Sequence, residues 1–356
     1  MRMAFLLLLS SCLCSLPSQE SSAGRPLVLR GLDPVALCEG VEIAGSEAWT
    51  AEDHRYTYRF ATAVARARFL AAPERFGVQW GGACGRMGPM SGRGSLERFA
   101  VHDGKIFLFA SDGCRSGFLS APDRFLPANP PSHPEPTEDA KQAGRALLER
   151  VVEAHGGKAL DSVASVIATR TTVSSGWTTR VDLEWGRTGD VQFTMRVTPP
   201  ATEANAPSEY HWRVGRESLS RDRAGQFELS SAEITDVLRL AHRHPAALLM
   251  ARHLPGFQVS QLTVVEPLSD QSGIRLRVVW NGLSTILLVD PDKGSVLGME
   301  WEGRLQDGVT RKFHESFSNW QPVDGVLLPH GRSVVRDGQR EKATTEMVDQ
   351  FQLTKE

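Results

Sequence analysis

The sequence predicts an α+β protein made of two unlike units. Residues 27–127 carry a repeated strand–helix pattern, whereas residues 138–356 begin with one amphipathic helix and then alternate polar and apolar residues in the manner of β-strands. Between the two units, the predicted linker of residues 128–137 lies in a stretch with five prolines in ten residues, PANPPSHPEP. Such a stretch is extended and cannot pack a core, so we place the domain boundary there.

Length and composition narrow the classes of function. The chain has 356 residues, of which 41% are hydrophobic and 23% charged, and its formal net charge is −2. This length is sufficient for two domains with separate cores. The sequence contains no run of Lys and Arg, which argues against a nucleic-acid partner.

Residues 1–23 read as an export signal. Arg2 is followed by the seven apolar residues Met3–Leu9, too few to span a bilayer. The next residues, LSSC, resemble the bacterial lipobox, which implies that Cys12 is lipidated and becomes the mature N-terminus. Ordinary cleavage after SSA, residues 21–23, is the alternative. In both cases the protein is exported, to the bacterial periplasm or, with a lipid anchor, to the outer membrane, and we expect membrane contact only through that anchor.

The first unit contains a repeat. Residues 60–76, FATAVARARFLAAPERF, and residues 109–125, FASDGCRSGFLSAPDRF, are identical at nine of 17 positions. Each copy predicts the end of a strand, a helix that buries a phenylalanine, and a turn that begins with proline. The stretches HRYTYRF and GKIFLF just upstream predict the second strand of a hairpin in each copy.

The cysteines distinguish the two copies. Cys114 lies at the start of the second predicted helix, where a thiol favours its thiolate form, and the first copy has Ala65 there. Cys84 lies in a glycine-rich turn, and we expect Cys38 to lie near the equivalent position of the first copy. The second copy alone therefore has two candidate soft ligands, while the first is interpreted as structural.

Three stretches of this unit resemble the YHS domain: GLDPVALCEG at 31–40, QWGGACG at 79–85 and FASDGCRSGF at 109–118. The resemblance implies a small, duplicated ββα domain of treble-clef-like form in which the sulfurs of Cys84 and Cys114 converge. Ala110 stands where the family has a further cysteine, so the ligand set of the family is incomplete here.

Three fates remain open for the two converging thiols. In an exported protein they can form a disulfide, which would close a loop of about 30 residues and stabilise the fold by roughly 3–4 kcal/mol. They can hold a metal, for which two thiolates suit copper(I) better than zinc, which takes four ligands. Met87, Met90 and Cys38 are candidates for additional soft ligands. Finally, the thiols can be inert and simply packed in the core.

The second unit is interpreted as an antiparallel sheet with one helical interruption. The stretches LLERVVEAHGGKALDSVASVIATRT, LLVDPDKGSVLGMEW and FSNWQPVDGVLLPH resemble the exported lipoprotein-carrier superfamily. That resemblance implies an incomplete β-barrel, an apolar ligand and lid helices, here residues 231–253. We expect Ser231 to cap the first lid helix, Pro245 to begin the second, and His242 and His244 to be a polar flank of that proline.

No catalytic signature accompanies these patterns. The sequence lacks G-x-S-x-G, a P-loop, H-E-x-x-H and G-x-G-x-x-G after a strand. We therefore predict a binding protein rather than an enzyme: the first unit holds a soft metal, and the second binds an apolar ligand or an envelope protein. The alternative is a scaffold with a Cys84–Cys114 disulfide. A redox enzyme using Cys114 ranks last, because that residue lacks a C-x-x-C partner.

Overall fold

The computed structural model describes residues 25–126, 135–174, 176–201, 206–222, 225–262, 273–304, 310–337 and 339–355. The predicted signal, its Cys12 and most of the linker therefore lie outside the described residues. Within them, no helix is both long enough and apolar enough to cross a membrane. The fold class predicted from the sequence, α+β with antiparallel sheets, is confirmed.

The N-terminal unit consists of two short hairpins, each followed by a helix. Its elements are α1 (Pro34–Cys38), β1 (Ser46–Glu52), β2 (Thr57–Phe60), α2 (Ala63–Ala71), α3 (Pro73–Phe76), β3 (Ser95–His102), β4 (Lys105–Phe109) and α4 (Asp112–Ser120). The strands pair as β1–β2 and β3–β4, both antiparallel. The two predicted hairpins and helices are thus present in the structure.

The two segments share their local geometry. Helices α2 and α4 each have nine residues, and each is capped by a hydroxyl, Thr62 in the first segment and Ser111 in the second. Phe69 and Phe118 are almost fully buried at the corresponding positions. A proline turn ends each segment, at Pro73–Phe76 and Pro122–Arg124. The phenylalanine that packs in the core and the proline that begins the turn are therefore identical in the two segments, whereas the cap is a different hydroxyl residue in each.

The C-terminal unit begins with the predicted amphipathic helix, capped by Thr137, and continues as strands with a helical insertion. Its elements are α5 (Glu138–Ala154), α6 (Lys158–Asp161), β5 (Val163–Ser174), β6 (Trp177–Gly186), β7 (Val191–Thr198), β8 (Ser208–Val214), β9 (Leu219–Asp222), β10 (Gly225–Glu228), α7 (Ser231–His242), α8 (Pro245–Met250), β11 (Gln258–Leu262), β12 (Ile274–Trp280), β13 (Leu283–Val289), β14 (Val296–Arg304), β15 (Thr310–Val323), β16 (Val326–Arg336), β17 (Gln339–Met347) and β18 (Gln350–Lys355).

These strands form two open, seven-stranded antiparallel sheets. The first has the order β10-β9-β8-β7-β6-β5-β18 and the second the order β11-β12-β13-β14-β15-β16-β17. Most neighbours in each sheet are consecutive in the chain, as in a meander. The chain passes between the sheets at Val348 and Asp349: the Val348 amide donates to His330 of the second sheet, and the Asp349 amide donates to Thr169 of the first.

Helices α7 and α8 lie between the two sheets, in one hydrophobic core with residues of both. All six residues of α8 are buried. At the junction of the two helices, the His242 ring stacks on Trp280 of the second sheet, and the His244 ring packs on Trp185 of the first. The interior that the sequence predicts for an apolar ligand is thus filled by apolar side chains of the protein itself.

Three sequence expectations require correction. Ser230, not Ser231, is the N-cap of α7, where it forms a capping box with Glu233. His242 and His244 are buried rather than a polar flank of Pro245, because the two aromatic contacts draw them into the core. The expectation of one antiparallel sheet is also corrected, because the strands form two sheets. Pro245 begins α8 as expected.

The burial of His242 and His244 makes the folding stability depend on pH. Burial and the nearby charge of Arg239 lower the pKa of His242 to about 4, and burial and Arg332 lower that of His244 to about 3. Both rings are therefore neutral in the folded protein, whereas in the unfolded chain they bind protons below about pH 6.5. Folding stability is complete above that pH and falls as the pH decreases.

We expect each of these two rings to lower the free energy of unfolding by roughly 2 kcal/mol when the pH falls from 7 to 5. Urea unfolding of the wild type and of His244→Phe at both pH values measures this cost, and the pH dependence of the variant should be smaller by about 2 kcal/mol. His253→Gln, an exposed histidine beyond α8, controls for removal of a histidine as such. An unchanged pH dependence in His244→Phe would contradict the assignment.

Candidate thiol site

Cys114 is placed by the start of helix α4. The Ser111 hydroxyl caps this helix by accepting a hydrogen bond from the Cys114 amide at 3.1 Å. The thiol therefore lies in the first turn, where the helix dipole stabilises a negative charge. Its side chain remains partly accessible to solvent.

Cys84 is placed by the turn that leads to β3. A parallel bridge joins it to Leu108 of β4, and its carbonyl accepts hydrogen bonds from the amides of Met87 and Gly88. Its sulfur is 3.5 Å from the amide nitrogen of Ala110, at the junction between β4 and α4. The residue is 1% exposed, so its thiol is buried.

The Cys84 thiol lies within hydrogen-bonding reach of the Cys114 thiol, and both cysteines are free thiols. Hydrogen bonds from Ser111, Cys84 and Arg86, together with the charge of Arg86, lower the pKa of the Cys114 thiol; partial burial opposes them. The site is therefore a partly exposed thiol that ionises more readily than an ordinary cysteine, beside a buried second thiol.

Arg86 completes the site, and the sequence analysis did not single it out. Its side chain lies across Gly117, where a Cβ atom would be 3.1 Å from the Arg86 Nε, so any larger residue there would displace it. The guanidinium also faces the Phe125 ring at 6.0 Å. The Nε is buried without a hydrogen-bond partner. Cys114 and Gly117 are three apart on α4, a spacing that places both on one helix face.

Of the other candidate ligands, only Met87 lies in the cluster of Cys84 and Cys114. Met87 packs in the same cluster as Cys84 and Cys114, whereas Met90 packs against the core of the C-terminal unit. Cys38 lies in a different cluster, and burial raises the pKa of its thiol to about 11. Among the described residues, no group of three or more His, Cys, Asp or Glu side chains is arranged to hold a metal ion.

Asp33, not Cys38, corresponds to Cys84 in the first segment. The Asp33 carboxylate accepts the amide of Ala61 at 2.8 Å, at the junction between β2 and α2, as the Cys84 sulfur does at Ala110. The expectation for Cys38 was wrong because the preceding turns, Leu29–Gly31 and Trp80–Gly82, correspond residue by residue and both have positive φ. Asp33 and Cys84 each follow two residues after these turns. In the first segment, Asp33 and Ala65 therefore occupy the positions of Cys84 and Cys114, so this segment has no thiol site.

A separate hollow of about 300 Å³ lies on the first sheet. Its walls include Glu184, Arg187, Asp190 and Arg213. This lining is too polar for the apolar ligand that the sequence predicts.

Comparison with known proteins gives limited information. No family model matches the chain, and no curated protein matches it either. One similar solved structure is a putative outer membrane lipoprotein-sorting protein domain from Vibrio parahaemolyticus, at 13% identity over 59% of this chain and 93% of that chain, with a TM-score of 0.35. Another is a LolA superfamily protein from Nitrosomonas europaea, at 13% identity over 60% and 94%, with a TM-score of 0.36.

At this identity, the two structures say nothing about the ligand or partner of the present chain. The YHS resemblance has no matching family model and stays a prediction. The assignment of a thiol site therefore depends on the geometry of Cys84, Cys114 and Arg86 alone.

This geometry predicts that the three described cysteines react at different rates. Iodoacetamide at pH 7.5 should alkylate Cys114 first, and Cys38 at least about tenfold more slowly, because only a thiolate reacts. Arg86→Gln should slow Cys114 by several-fold, whereas the matched Arg98→Gln, which removes an ion pair to Asp112, should not. Peptide mapping by mass spectrometry measures each rate, and faster labelling of Cys38 would refute the assigned environments.

Proposed function

We propose that this chain is an exported, lipid-anchored binding protein with two sites. The N-terminal unit, a tandem YHS-like domain, holds one copper(I) ion between Cys84 and Cys114. The C-terminal unit takes up an apolar ligand between its two sheets. The observation that carries the first site is the convergence of two thiols, one of them with a lowered pKa.

The ligand set favours a soft monovalent cation. Two thiolates satisfy copper(I), which accepts few soft ligands, whereas a structural zinc site takes four. Met87, in the same cluster, offers a thioether as a third soft ligand. Copper(I) held by two thiolates carries a net charge of −1, and the Arg86 guanidinium provides the compensating positive charge.

The position of α8 supports the second site. This helix presents six buried residues to a core lined by Trp185, Trp280 and Phe351, which are apolar surfaces from both sheets. An apolar ligand that displaced α8 would find the same lining. The nitrogens of His242 and His244 lack hydrogen-bond partners in the closed form, which lowers the cost of moving this segment.

Metal titration tests the thiol site. Reduced protein should bind one equivalent of copper(I), measured by competition against a chromogenic copper(I) chelator. Cys84→Ser and Cys114→Ser should each lose this binding, whereas Cys38→Ser should keep it. Uptake that does not depend on Cys84 and Cys114 would refute the proposal.

Peptide mapping of protein purified without reductant tests the alternative scaffold. If Cys84 and Cys114 are recovered as one disulfide-linked pair in native protein, they act as a staple rather than as metal ligands. If both are recovered as free or metal-protected thiols, the staple is excluded.

Hydrogen exchange tests the apolar site. Palmitate at saturating concentration should raise amide exchange across α8 by several-fold, because the ligand replaces that helix between the sheets, and should leave α5 unchanged. Equal exchange in α8 with and without palmitate, despite measurable binding, would show that the ligand binds elsewhere.

A further inference from the structure

Helix α7 begins on the N-terminal unit and ends between the two sheets. Ala232, in its first turn, packs against the cluster that contains Cys84 and Cys114. The neighbouring Ser231 hydroxyl donates to the Glu74 carboxylate of α3 at 2.8 Å. One helix thus contacts both the core cluster that contains the two cysteines and the interior between the two sheets.

A buried ion pair fixes the start of α7. Arg55, in the loop between β1 and β2, donates to both carboxylate oxygens of Glu233 at 2.9 Å, and the two side chains are 7% and 3% exposed. The same guanidinium donates to the carbonyls of Gly81 at 2.9 Å and Glu228 at 3.1 Å. Glu233 also completes the capping box of the helix, so the first turn of α7 depends on a residue of the other unit.

The backbone between Arg55 and the thiol site is tightly packed. A Cβ atom on Gly81 would lie 2.7 Å from the Arg55 guanidinium and 2.8 Å from the Glu233 carboxylate. On Gly82 it would lie 1.9 Å from the Tyr56 hydroxyl. This turn leads directly into Cys84. A shift of the Cys84 backbone therefore moves atoms that hold Arg55 and Glu233, since packed interiors transmit displacement.

The far end of α7 is held in the same way. Arg243, its C-cap residue, pairs at 3.0 Å with Glu315, which is fully buried on β15. Between the two ion pairs the helix makes apolar contacts, and α8 follows after the junction. Because both ends are fixed by buried charges, α7 has one arrangement in which all of these groups are satisfied, and we expect it to move as a unit.

We propose that the metal occupancy of the Cys84–Cys114 site controls the affinity of the interior for its apolar ligand. The inference rests on the two-site function proposed above. A metal that bridges the sulfurs fixes the Cys84 turn, keeps Arg55 on Glu233 and holds α7 and α8 in place. Metal loss loosens that turn and favours release of the helices, so the apolar ligand binds more tightly. By linkage, the ligand weakens metal binding by the same factor.

Binding of silver(I) and palmitate to the full chain tests this coupling. Silver(I) replaces copper(I) because it has the same charge and ligand preference and does not change oxidation state. Palmitate affinity should fall about tenfold when silver(I) is bound, and silver(I) affinity should fall by the same factor with palmitate bound. In Glu233→Gln, each ligand should change the affinity for the other by no more than about twofold. The variant should still bind one silver(I) ion.

Asp236→Asn is the matched control. This carboxylate lies one turn further along α7 and pairs only locally with Arg239, so the variant should keep the full coupling. If Glu233→Gln does not fold, Arg55→Lys replaces it, because it keeps the charge but has one nitrogen in place of the two that donate to Glu233 and Gly81. Full coupling in the folded variant would overturn the assigned route through Glu233.

The outcomes separate the inference from the function on which it rests. A wild type that binds both ligands with unchanged affinities overturns the coupling alone. Absence of silver(I) binding overturns the thiol site, and absence of palmitate binding overturns the apolar site; either result also overturns the coupling.

Discussion

The buried pair of Arg55 and Glu233 determines how the two units are arranged. Two charges removed from water are tolerated only when they are paired and their remaining hydrogen-bonding groups are satisfied. Both conditions are met here, since Arg55 also reaches backbone carbonyls of each unit and Glu233 accepts from Ser230. These bonds exist together in only one relative placement of the units. The thiol site and the helices between the sheets therefore have a fixed geometry with respect to each other.

Within the N-terminal unit, one backbone amide explains the position of the thiols. At each junction of strand and helix, an amide nitrogen, that of Ala61 or Ala110, faces inward and needs an acceptor. Asp33 provides a carboxylate in the first segment and Cys84 a sulfur in the second. The need for an acceptor is thus met by a carboxylate in the first segment and by a thiol, which can also bind a metal or react, in the second.

Sequence patterns predicted local structure well and three-dimensional neighbours poorly. Alternation predicted the strand-rich character of the second unit, and Pro245 was correctly predicted to begin a helix, because both signals act on the backbone within a few residues. The approach of Arg86 to Cys114 had no such signal. Neither did the ion pair of Arg55 with Glu233, whose partners are distant in the chain. The correspondence between Asp33 and Cys84 was missed because the sequence comparison matched Cys84 with another cysteine, Cys38. In the fold, the two equivalent residues are those that accept the amides of Ala61 and Ala110.

The passage of the chain from one sheet to the other has a mechanical consequence. The two sheets share no strand among the described residues, and Val348 and Asp349 carry the chain between them. A second connection, through α7 and α8, joins β10 of the first sheet to β11 of the second. Any change in the spacing of the sheets therefore has to be absorbed by both connections, because the ladder hydrogen bonds within each sheet do not cross between them.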